Sequence, residues 1–300
     1  MRHEPKRLLL IHDTHHMFTK HLRTLTVAAM LPFIQSLSAE LPMLDEPWLG
    51  YFAVANESNF RFLISKNGEF KILVINKNKD AIELYPITLQ FLATEALPDG
   101  SVRDLPMKWD TVESSDPADA KMKKTVFRSK LTDQATGQPT LEVTIEISSG
   151  TLLANARITD KGAFKKNSIQ PTIRAIFPGF HADEIDQKAK WDKKQIRDFD
   201  KLIGRDSVSL KHLDGKTIKL PCVEKTDLKP DEINGGGSSL AEVEIYDYQK
   251  RKIEFLASPN SSLTLGNAGA APLHSGFWFQ WSPNVAKDPD GKAKLAIRVQ

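Results

Sequence analysis

The residues with the clearest chemical potential stand together near the end of the chain: His274, then Phe277-Trp278-Phe279-Gln280-Trp281. Alternate side chains of a strand point to opposite faces, so Phe277, Phe279 and Trp281 share one face while Trp278 and Gln280 share the other. The first set reads as core. On the second face an indole beside an amide suits a sugar ring, which stacks on the aromatic surface while nearby amides and carboxylates read its hydroxyls. Trp278, Gln280 and His274 are therefore the candidate ligand-binding residues. The competing arrangement is a tryptophan that only covers the second face of a sheet, and its burial separates the two.

A second constellation is His181-Ala182-Asp183-Glu184-Ile185-Asp186, three carboxylates and an imidazole within six residues. Oxygen-rich clusters of this kind can hold calcium, but no EF-hand spacing is present. Asp183 and Glu184 suit a helix start better, where carboxylates accept free backbone N–H groups and complement the helix dipole. A third possibility is an Asp/Glu acid–base pair of the glycosidase kind, which needs two carboxyl groups about 5–9 Å apart and cannot be located from sequence. No Gly-x-Ser-x-Gly nucleophile motif occurs. Gly235-Gly236-Gly237 is not followed by Lys-Ser/Thr and is not a phosphate loop. No catalytic residue can be assigned, and neither a metal nor a cofactor is expected.

Residues 17–39 have the order of a secretory signal: Lys20 and Arg23, an apolar run from Leu25 to Ile34, then small polar residues ending at Ser38-Ala39. The run is too short for a bilayer core that needs roughly 20 residues. Export follows as the expectation, to the periplasm or outside the cell, with no membrane span in the mature chain. Translation from Met1 or from Met17 both remain open. The chain carries 41 Lys and Arg against 38 Asp and Glu; five of the basic and two of the acidic residues precede Glu40, leaving 36 of each. A mature charge of zero gives no support for nucleic-acid binding. Five of the eight histidines also precede Glu40, so His181, His212 and His274 remain for chemistry. Cys222 is the only cysteine, which excludes an intramolecular disulfide and leaves the fold to its core.

The elements that must position these residues are short strands and tight turns. Residues 59–66 and 69–76 flank Asn67-Gly68, a strong hairpin signal because both turn residues need positive φ. Ala81–Tyr85 reads as a further strand. Leu141, Val143, Ile145 and Ile147 alternate with Glu142, Thr144 and Glu146, then turn at Ser149-Gly150 into 151–159. Residues 208–213 and 216–220 flank Asp214-Gly215; 242–248 pairs with 252–257; 276–281 is joined to 292–299. One helix is expected over 183–203, with Ile185, Ala189, Ile196, Phe199 and Ile203 on its apolar face and Gly204 ending it.

The fold class is mainly β: an antiparallel β-sandwich, whole or as two packed halves, with one amphipathic helix near 183–203. The leader spans 1–39. A β-rich region with the helix spans 40–224. Residues 225–239 form a flexible linker or a loop beside a binding face, and 240–300 complete the same sandwich or a second subdomain. The expected function is non-catalytic binding or a structural role outside the cytoplasm. The expected partner is a carbohydrate or another envelope component, by analogy with other exported sandwiches. The alternative is a secreted carbohydrate-active enzyme.

Overall fold

Alternation of buried and exposed side chains organises the chain into seventeen strands among the described residues. The structure is a computed structural model. It describes residues 41–300 except 108–111, 115, 132–137, 165–167, 182–184, 186, 229–230, 250 and 270. The expected leader 1–39, with its signal pattern at 17–39, and the acidic residues Asp183, Glu184 and Asp186 lie outside the described residues. All described residues fall within one unit, Leu37–Gln300.

In chain order the strands begin with β1 (Tyr51–Asn56), β2 (Phe60–Ser65), β3 (Phe70–Val74), β4 (Ile87–Ala96) and β5 (Val102–Pro106). Then come β6 (Glu113–Ser114), β7 (Lys124–Lys130), β8 (Thr140–Ser148), β9 (Thr151–Asp160) and β10 (Ile169–Phe177). After helix α1 (Lys193–Ile203) follow β11 (Ser207–His212) and β12 (Thr217–Pro221), then a short helix α2 (Asp231–Asn234). The last are β13 (Ser238–Glu244), β14 (Lys252–Ala257), β15 (Ser261–Asn267), β16 (Phe277–Pro283) and β17 (Leu295–Val299). Strands take 51% and helices 11% of the described residues, so strand outweighs helix well beyond twofold.

Among the described residues the pairings between these strands are antiparallel, with a parallel bridge from Ala53 to Asp119 outside them, and they resolve into two halves. One runs β1–β2–β3–β4–β10–β16–β15, with β5 beside the second part of β4. The other runs β12–β11–β13–β14–β17–β9–β8–β7–β6. They join at Ser238, which pairs with His212 on one side and Leu263 on the other. Near the opposite margin the Val54 N–H donates to the Asp119 carbonyl. The result is a curled antiparallel sheet folded into a sandwich. Its halves share one core, in which the Phe127 ring of β7 packs edge-on to Phe70 of β3 at 5.6 Å and Phe255 of β14 on Phe177 of β10 at 5.8 Å.

Turn chemistry explains the hairpins that sequence reasoning located. Gly68 takes φ 83° between β2 and β3. Between β8 and β9 both Ser149 (φ 49°) and Gly150 (φ 68°) are left-handed, the conformation a two-residue hairpin needs. In β8, Leu141, Val143, Ile145 and Ile147 face the core. Between them Glu142 is also buried, and Arg128 and Arg157 reach it from both neighbouring strands at 2.7 and 2.5 Å. Burial alone would raise the Glu142 carboxyl; the two guanidinium hydrogen bonds override it and hold the group below its usual range.

Two local expectations are corrected. Residues 81–85 form no strand: Ala81 makes an isolated bridge to Ile75, Leu84 is exposed, and β4 starts only after Pro86, which lacks an N–H. The expected helix is interrupted: Ile185 and Gln187 are helical and Lys188–Lys190 form a 3₁₀ turn, but the backbone is extended at Trp191 and Asp192 before α1 begins. Asp192 caps it, accepting from the Lys194 and Gln195 N–H groups at 2.8 Å, while the Gln195 side chain accepts from the Asp192 N–H. Ala189 lies outside α1 and is exposed, and the buried face of α1 is Phe199 and Ile203. Two residues of the segment 225–239 have defined contacts. Asn234 bonds the Leu228 and Leu265 carbonyls and accepts from the Leu265 N–H, and Gly237 passes so close to Ser262 that a Cβ would sit 2.6 Å from its Cβ.

Candidate binding face of the first half-sheet

Strand β16 lies between β10 and β15, and its alternation is the one expected: Phe277, Phe279 and Trp281 are buried, Trp278, Gln280 and Ser282 are half-buried. Trp278 is thus neither core nor a free-standing platform. Opposite it on β15 is Gly266, and the indole lies directly over it; a Cβ there would fall 2.3 Å from Trp278 ring atoms. The glycine makes a seat for the ring, holding it against the sheet while part of its surface meets solvent.

Gln280 is fixed from the other side. Arg174 of β10, opposite it in register, donates from Nε to the Gln280 amide oxygen at 2.9 Å. The same guanidinium donates two hydrogen bonds to the Asp104 carboxylate of β5, at 2.5 and 2.9 Å. That two-point geometry is the strong form of the Arg–carboxylate pair. It fixes the side chain of Gln280 beside Trp278. Further along, Ser282 faces Ser262 in register, and its hydroxyl lies 3.4 Å from that of buried Thr172, itself 3.2 Å from Thr94. Ser262 and Ser282 line an open trough of about 750 Å³.

His274 does not join this face. It lies in the 3₁₀ turn Leu273–Ser275 that precedes β16, and its Nδ1 lies 3.2 Å from the Cys222 carbonyl. Burial lowers its affinity for a proton, and the nearby His181 adds to that. Cys222 is itself buried, and burial, then the charge of Asp206, pushes its thiol far up, which makes it inert packing. His181 belongs to the same end of the molecule. It is 2% exposed with φ 61°, and its imidazole lies between Asp206 at 2.9 Å and Asp247 at 3.3 Å. Asp206 also accepts from the Tyr246 N–H at 2.8 Å. The cluster ties together three connections and is closed to solvent at the imidazole, which suits structure.

Arg174, Asp104, Gly266 and the serines were not singled out in the sequence. Ser282 was within reach, since it continues the alternation of Trp278 and Gln280. Arg174 and Gly266 become meaningful only through the pairing of β10 and β15 with β16.

No protein-family model matches the sequence, and no curated protein does. Among solved structures, the fold is shared with the alpha-N-acetylgalactosaminidase NagBb from Bifidobacterium bifidum. Its GalNAc complex gives a TM-score of 0.52 at 12% identity, over 82% of this chain and 35% of the enzyme. Its Gal-NHAc-DNJ complex gives 0.54 at 12% identity, over 82% and 36%. This chain therefore spans about a third of that enzyme's length. A galactose mutarotase related enzyme from Lactobacillus acidophilus is similar at 9% identity with a TM-score of 0.38, covering 82% of this chain and 96% of that one. What the comparisons define is the class: a mostly β, antiparallel sandwich of a kind that also occurs within a carbohydrate enzyme.

Proposed function

We propose that this protein is an exported, non-catalytic carbohydrate-binding protein whose ligand lies on the Trp278 face of β16. The observation that carries the reading is the indole of Trp278, seated on Gly266 and only half-buried, with Gln280 held beside it by Arg174. An aromatic surface that is already fixed loses little side-chain freedom when a ring stacks on it. Asp104 is committed to Arg174 in a two-point pair, which suits positioning rather than proton transfer and favours a binder over a glycosidase. The shared fold with an alpha-N-acetylgalactosaminidase is compatible with a sugar ligand without naming it.

The test is calorimetric titration of the purified protein with neutral mono- and oligosaccharides. Trp278→Ala is expected to weaken binding by about 1–3 kcal/mol, the range for stacking on an aromatic side chain, with little change in melting temperature. A large loss of stability, about 3–5 kcal/mol, with sugar affinity intact would mark Trp278 as packing alone and end the proposal. Export rests on the leader pattern of residues 17–39. Protein secreted by its source is expected to begin at Ala39 or Glu40, and N-terminal sequencing that returned Met1 or Met17 would contradict it.

A further inference from the structure

Deepening that reading and resting on it, we infer that the ligand is a neutral oligosaccharide chain, laid along β16 from Trp278 into the trough at Ser282, rather than a single sugar. Trp278, Gln280 and Ser282 share one face, and across β15 Gly266, Thr264 and Ser262 stand opposite them in register. With a strand rise of about 3.3 Å per residue, Ser282 lies about 13 Å from Trp278, more than one pyranose ring covers. At the far end of this row Ser262 and Ser282 themselves line the trough, so the row leads into it.

The trough has the size of a ligand site, about 750 Å³. Its walls are built rather than accidental. Gly236 lines it and Gly237 brings that segment onto Ser262, while the Asn284 N–H donates to the Asn260 carbonyl at 2.7 Å on the other wall. Its polar side chains are hydroxyls and amides, including Gln170, Ser239, Ser262 and Ser282. Lys287 is the one charged residue among the described residues that line it. Hydroxyls and amides both donate and accept, as the hydroxyls of a neutral sugar chain require. A polyanionic chain would meet Lys287 in the trough and, along β16, only an Arg174 already paired with Asp104, and desolvating unpaired charge is costly.

The experiment titrates the whole protein with cello-, malto- and laminari-oligosaccharides of increasing length from the monosaccharide, with oligogalacturonides as the charged counterpart. In at least one neutral series the affinity is expected to rise roughly tenfold or more from one to four rings and then level off, equivalent to about 1.4 kcal/mol. Ser262→Phe, which fills the trough, should abolish that gain with length. Gln170→Ala, a smaller change, should reduce it if the bulkier variant does not fold. Trp278→Ala should weaken every length alike. A monosaccharide bound as tightly as a tetrasaccharide would overturn the inference and leave the proposed function standing. Tighter binding of the charged chain would overturn it in its chemistry. Failure of every saccharide to bind would overturn the proposed function itself, and this inference with it.

Discussion

Ile145→Asp is expected to leave no folded protein. Ile145 is fully buried in β8, opposite Thr125 of β7 and Ala154 of β9, with Leu141, Val143 and Ile147 on the same inner face. The guanidinium groups of Arg128 and Arg157 are already committed to Glu142. A carboxylate at 145 would be an unpaired charge in a core made of apolar side chains. The cost of such a group takes up a large part of the roughly 5–15 kcal/mol that holds a domain together. Thr144→Asp is the control. Thr144 is half-buried on the other face of β8, beside Val126 and Asn155, and water can reach a charge there. Circular dichroism and thermal melting of the two variants should separate them: Thr144→Asp retains a cooperative transition and Ile145→Asp has none. A soluble Ile145→Asp protein melting within a few degrees of the parent would refute the assignment of β8 to the core.

The second large effect is expected from Asp206→Ala. Asp206 is 2% exposed, with one carboxylate oxygen 2.9 Å from the His181 ring and the other accepting from the Tyr246 N–H. Its own carbonyl accepts from the Cys222 N–H. The side chain thus links the end of β10, the start of β11 and the 3₁₀ turn Tyr246–Tyr248 before β14. The change removes the acceptor from the His181 ring and from the Tyr246 N–H, and each buried polar group left unsatisfied costs about 1–3 kcal/mol. For a domain of this size the two together are a fall of about 10 °C in melting temperature. Asp206→Asn, which keeps an acceptor for the Tyr246 N–H, should lose less. Equal melting temperatures for Asp206→Ala and the parent would show that the cluster contributes nothing to stability.

How much of this was legible beforehand depended on whether a feature is local. The hairpin at Asn67-Gly68 and the turn at Ser149-Gly150 were readable because turn chemistry is local, although at the first of them only Gly68 takes the positive φ expected of both residues. The inward set Leu141, Val143, Ile145 and Ile147 followed from period two, as did the opposite facing of Trp278 against Phe277 and Phe279. The start of α1 was also written locally, in Asp192 and Gln195, but the longer apolar spacing from Ile185 obscured it.

Strands β10 and β15 were harder. Pro171 in β10 argues against a central strand, and it is tolerated because β16 joins β10 only from Ile173 onward, leaving that stretch paired on one side. Ser261-Ser262, Gly266 and Asn267 make β15 read as turn, although Leu263 and Leu265 alternate within it. With those two strands unread, the neighbours of Trp278 could not be named.

By itself, then, the sequence determined a β-rich sandwich, the inward and outward faces of its clearest strands, and an outward Trp278 beside Gln280. Tertiary structure alone decided that Gly266 lies beneath the indole, that Arg174 and Asp104 hold Gln280, and that His274 stands apart at the buried end near His181. The physical reason is range. Turn conformation and side-chain alternation are set by residues adjacent in the chain, whereas Arg174 meets Gln280 across 106 positions and Asp104 across 70, through strand pairings that only the assembled core selects.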